Sequence, residues 1–110
     1  MLAVAWDDIA KTFTWQKPYT KVLEWDFLHP SIQWFADGQL NITENCLDRH
    51  LETKGNQIAL IFEPNDPNTE VRKYTYQQLH QEVMNFAQVL LNQGIKKGDR
   101  VCIYMGMVPE

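Results

Sequence analysis

The sequence predicts an α/β chain, in which an N-terminal extension with short helices precedes a β-hairpin, a long helix and a buried strand. Two observations carry the prediction. Apolar residues recur at helical spacing from Tyr76 to Leu91, which is typical of an amphipathic helix. The run Val101 to Met105 is apolar at nearly every position, which is typical of a strand covered on both faces. A helix that leads into such a strand is half of a crossover unit, so the expected class is α/β.

The first forty residues differ from the rest of the chain. Trp6, Ile9 and Phe13 follow helical spacing and predict a short helix near residues 5–14. Pro18 ends that pattern, because proline lacks the amide donor. Residues 19–38 have no clean period, and we interpret them as a surface extension held by aromatic side chains. We therefore predict an extension over 1–55 and the incomplete start of a larger domain over 56–110.

A second helix is predicted over residues 43–54, at the end of the extension. Asn41 or Thr43 can cap its N-terminus. Gly55 follows and is expected to take the left-handed conformation that ends many helices.

The hairpin and the long helix come next. Residues 57–63 (QIALIFE) and 71–75 read as two strands, separated by a segment dense in proline, asparagine and aspartate. Thr75 and Gln78 have the spacing of a capping box. The helix that they open is expected to run to residue 93, with Gly94 as its stop.

The last strand, 101–105, is followed by Pro109 and Glu110, which read as the first residues of another helix. A helix of two residues cannot cover a sheet, so the pattern predicts that these residues belong to a longer protein. An irregular tail is the alternative.

Composition excludes several classes of protein. A net charge of -4 offers no general attraction to nucleic acid or to an anionic membrane. The longest apolar runs are far shorter than the roughly 20 residues that span a bilayer, and Leu2 to Ala5 is too short for a signal-peptide core. Cys46 and Cys102 do not make a disulfide framework. We expect a cytoplasmic protein.

Candidate catalytic residues are few. The five glycines form no phosphate-binding loop. Cys46 and His50, four residues apart on one predicted helix, have a spacing that permits metal ligation or a thiol nucleophile. A zinc site needs three or four protein ligands, and further ligands would have to come from Cys102, His29, His80 or carboxylates. A buried thiol and a hydrogen-bonded histidine are the simpler interpretation.

Two other groups of residues are interpreted as structural. Asp48, Arg49 and His50 form a charged run, and we expect Arg49 to pair with a carboxylate elsewhere and lock the extension to the domain. The tryptophans could form a stacking surface for sugars or bases, but basic residues are not interleaved with them, which favours packing anchors. They are Trp6, Trp15, Trp25 and Trp34.

Two segments resemble the N-terminal signature of acetyl-CoA synthetases, within the superfamily of adenylate-forming acyl-CoA synthetases and luciferases. They are Trp34–Asn41 (WFADGQLN) and Asn45–His50 (NCLDRH). Residues 74–105 are similar to the superfamily's strand, T-Y-x-x-L helix, G-x-x-x-G-D turn and buried strand, and 107–110 resemble the start of its next helix. Gly106 departs from the family, in which many members have proline. Residues 1–20 match loosely.

The resemblance implies a two-step ligase that uses ATP, Mg²⁺ and CoA. Acetate attacks the α-phosphate of ATP to give acetyl-adenylate and pyrophosphate, and the CoA thiol then displaces AMP. The family's phosphate loop, its acidic and arginine residues and its C-terminal lysine have no counterpart in residues 1–110. The resemblance therefore transfers no catalytic, cofactor-binding or metal-binding residue.

In this interpretation the chain begins the large domain of an adenylate-forming enzyme. It is scaffold, inactive and without bound cofactor by itself, and its partner is the remainder of the synthetase. Two alternatives stay open: a fragment of a propionyl-CoA synthetase, and a free-standing interaction module without catalysis. Asn45-Cys46-Leu47 favours the acetyl enzyme over the propionyl one.

Overall fold

The computed structural model describes residues 2–109, which form two compact units with a boundary between Arg49 and His50. The first unit contains helix α1 (Leu2–Ala10), strands β1 (Leu23–Asp26) and β2 (Ser31–Trp34) and helix α2 (Ile42–Cys46). A 3₁₀ turn (Asp48–His50) follows. The second unit contains helix α3 (Leu51–Lys54), strands β3 (Ile58–Phe62) and β4 (Arg72–Thr75) and helix α4 (Tyr76–Asn92). Helices and antiparallel hairpins thus alternate, which confirms mixed α and β content.

Helix α1 ends at Ala10, four residues before the end that helical spacing predicts. The Thr12 hydroxyl donates to the carbonyl of Ile9 (2.7 Å), and the indole N–H of Trp15 donates to the carbonyl of Ala10 (2.8 Å). These side chains satisfy carbonyls that further helical turns would otherwise use, so the chain turns away. The expected helix over 5–14 is therefore shorter at its C-terminal end.

Strands β1 and β2 pair as an antiparallel hairpin inside the segment for which the sequence shows no period. Their register joins Leu23 to Trp34 and Asp26 to Ser31. Only the first residue of each strand is even half-buried. Alternation of apolar and polar residues arises when one face is buried, so a largely exposed hairpin leaves no such pattern.

The predicted continuous helix over 43–54 is wrong. Asn41 caps α2 as expected, since its side chain accepts a hydrogen bond from the Thr43 amide (2.9 Å). The helix then stops, because Leu47 leaves helical geometry (φ -122°, ψ -67°) as its side chain becomes buried. Gly55 is also not left-handed (φ -50°). A Cβ there would lie 2.6 Å from the Leu51 carbonyl oxygen, so close backbone approach accounts for glycine.

From β3 up to residue 99 the second unit follows the prediction. Strands β3 and β4 pair antiparallel, and α4 packs against both. Thr75 and Gln78 form the capping box in both directions, at 3.2 and 2.9 Å. Gly94 takes the left-handed conformation (φ +82°) and ends α4.

The predicted buried strand over 101–105 is wrong. These residues have no regular structure and all are exposed. A strand needs a neighbour to satisfy its amides and carbonyls, and no strand in residues 2–109 pairs with this segment. Pro109 is not helical, and Glu110 lies outside the described residues.

Burial is concentrated in the first unit. Ala10, Asn45 and Leu47 are buried there, whereas no residue of 50–109 reaches the same degree of burial. None of the helices within residues 2–109 has the length and apolar character needed to cross a membrane.

Candidate functional site

The first unit is held together by a buried asparagine. Asn45 is 3% exposed, and its side-chain oxygen accepts a hydrogen bond from the Thr14 amide (2.7 Å). Its side-chain amide donates to the carbonyls of Thr14 (2.9 Å) and Asn41 (3.0 Å). Every hydrogen-bonding position except one oxygen lone pair is thereby used. Asn45 therefore fixes the segment after α1 against α2.

Arg49 occupies that remaining position. One guanidinium nitrogen donates to the Thr12 carbonyl (2.8 Å) and to the Asn45 side-chain oxygen (3.3 Å). The guanidinium also lies over the ring of Phe13, 5.7 Å from its centroid. The expected carboxylate partner is wrong: the acceptors are a carbonyl and an amide. The expected lock between the extension and the domain is not seen either: Arg49, Thr12 and Asn45 all lie in the first unit, where Arg49 joins positions 37 apart in sequence.

An aromatic cluster forms the other contact of this unit. Trp15, Tyr19 and Phe35 meet with ring centroids 4.8 to 5.7 Å apart. Gly38 lies against them, and a Cβ there would sit 2.5 Å from the Trp15 ring. The role of packing anchor is thus confirmed for Trp15. Trp25 differs, because it is 60% exposed.

Three side chains of the first unit, those of Asp7, Lys11 and Tyr19, contact one another and have shifted pKa values. Lys11 forms an ion pair with Asp7, and Tyr19 donates a hydrogen bond to the same carboxylate (2.6 Å). Lys11, and after it Tyr19, hold the pKa of Asp7 below its ordinary value. The Asp7 carboxylate in turn raises the pKa of Lys11 and of Tyr19. This arrangement ties α1 to the chain that follows it.

Cys46 and His50 do not share a helix, because α2 ends at Cys46. The Cys46 thiol is exposed, so the expected buried thiol is wrong. The His50 ring lies against Tyr76, with centroids 5.4 Å apart. Within residues 2–109 no group of three or more histidine, cysteine, aspartate or glutamate side chains is arranged to hold a metal ion.

The second unit has a large apolar surface. Helix α4 has no buried residue, and Ile103, Tyr104 and Met107 are 80%, 101% and 95% exposed. An open groove of about 610 Å³ lies between β3 and the segment from Met107 to Pro109. On α4 the apolar side chains of Met84, Phe86, Val89 and Leu91 are each more than half exposed, and clustered exposed apolar side chains are typical of a surface that contacts further protein. This surface is therefore suited to packing against further protein.

Comparison with protein-family models identifies the class of protein to which the chain belongs. Residues 5–46 match the family model described as the N-terminus of acetyl-coenzyme A synthetase, and residues 47–110 match the model described as AMP-binding enzyme. The second match alone covers more than half of the chain. The chain therefore belongs to the AMP-binding enzyme family, which confirms the superfamily that its motifs resemble.

Individual relatives narrow the class. The acetyl-coenzyme A synthetase of Vibrio cholerae is 53% identical over 107 residues, which are 96% of this chain and 16% of the relative. That of Psychromonas ingrahamii is 52% identical over the same shares, and that of Parvibaculum lavamentivorans is 54% identical over 87% of this chain and 15% of its own length. The chain thus spans about a sixth of the length of the curated relatives it matches.

Proposed function

We propose that this chain is the N-terminal part of an AMP-forming acetyl-CoA synthetase, in which it serves as scaffold and carries no catalytic residue. The observation that carries the proposal is the pair of contiguous family matches, together with 53% identity over 96% of the chain. At that identity the two sequences share a fold, and a shared position in the parent protein follows from the order of the two matches.

The parent protein would join acetate to CoA through acetyl-adenylate, releasing AMP and pyrophosphate, and would use ATP and Mg²⁺. We place those ligands outside residues 1–110, because the family motifs that bind them have no counterpart in this sequence. Pairs of family matches do not define domain limits, so the division into 1–55 and 56–110 is retained as part of the proposal. A cytoplasmic location belongs to it as well.

The partner in this proposal is the remainder of the synthetase. Its contact would include the exposed apolar segment 101–108 and the uncovered sides of α4, where Phe86 and Leu91 are 61% and 64% exposed. Segment 101–105 would become a strand once a neighbouring strand satisfied its backbone. The same surface favours the second candidate, a free-standing module that binds another protein.

Two measurements on the native protein test the proposal. An immunoblot with an antibody against this segment is expected to detect a band about six times larger than 12.9 kDa, because the chain spans 16% of its relatives. A band near 12.9 kDa would favour the interaction module. The purified protein should then release AMP faster with acetate than with propionate. A preference for propionate would indicate the propionyl enzyme, and AMP release by the 110 residues alone would contradict the scaffold role.

A further inference from the structure

We draw no further inference here: the strongest candidate, the exposed apolar patch of Trp25, Phe27, Leu28 and Ile32 at the turn of the β1–β2 hairpin, carries none because nothing in the structure shows what covers it.

Discussion

Replacing Asn45 with alanine is expected to loosen the first unit more than any change at its surface. The substitution removes the acceptor of the Thr14 amide and the donor to two carbonyls, those of Thr14 and Asn41. Three neutral hydrogen bonds of about 1 kcal/mol each give a loss of about 3 kcal/mol in the free energy of unfolding. The hydrogen bond from Arg49 is left out of this sum, because Arg49 is exposed and water replaces its partner.

Amide hydrogen exchange measures this loss directly at Thr14. A change of about 3 kcal/mol corresponds to a decrease of about a hundredfold in the protection of the Thr14 amide. Asn45→Asp retains the acceptor and loses both donors, so its protection should fall between wild type and Asn45→Ala.

The control is Asn85→Ala, which removes an exposed hydrogen bond from Gln81 on α4. That change should stay within about 0.5 kcal/mol. If Asn45→Ala also stays within that range by urea unfolding and exchange, Asn45 does not hold the unit together and the reasoning fails.

Three further predictions concern other parts of the chain. Gly38→Ala should lower the thermal midpoint, because its Cβ would lie 2.5 Å from Trp15; an unchanged midpoint would mean that the ring moves aside at no cost. Thr75→Ala should lower the free energy of unfolding of α4 by about 1 kcal/mol through loss of the cap, measured by urea unfolding, with Thr75→Ser close to wild type. The pKa of Asp7 is lowered, so its stabilising effect is present above its ordinary value of 3.8 and is lost as pH falls through the folded pKa. Acid unfolding should therefore separate wild type from Asp7→Asn above about pH 4 but not below the folded pKa, and curves that differ equally at all pH values would contradict this.

Local signals explain why α4 and the β3–β4 hairpin were predictable. The cap at Thr75, the stop at Gly94 and the apolar period between them all act within a few residues of sequence. Such signals agree with one another in α4 and in the β3–β4 hairpin. The structure consequently follows the prediction there.

The failures arise where the deciding contact is distant. Helix α2 ends beside Leu47, whose side chain is buried, and close to Asn45, which bonds Thr14, 31 positions away; helical spacing in the sequence does not indicate such a distant contact. Segment 101–105 was read from its apolar composition, but composition does not supply the neighbouring strand that strand geometry requires. The β1–β2 hairpin was missed for the opposite reason, because its exposed faces leave no alternation to read.

The candidate site was predicted only in part. Arg49 was predicted to hold the extension to the domain through a carboxylate, whereas it bonds the Thr12 carbonyl and the Asn45 side chain, two acceptors in the first unit that could not be read from sequence. The sequence placed Asn45 in the family signature but did not indicate its buried structural role, since an asparagine on a short helix is usually exposed. The burial of an asparagine side chain can be predicted only when the backbone amides and carbonyls that it bonds are known.

The hydrogen bonds between Asn45 and Thr14 have a consequence for the length that the β1–β2 hairpin can have. They join residues 31 apart and so close a loop that contains the entire β1–β2 hairpin. The entropy lost on closing a loop grows only with the logarithm of its length, so an insertion of about ten residues at the hairpin turn adds about 0.2 kcal/mol to that cost. Proteins that keep the hydrogen bonds between Asn45 and Thr14 can consequently have a longer or shorter β1–β2 hairpin at little cost in stability. The length of the hairpin in turn sets how far its turn extends from the first unit.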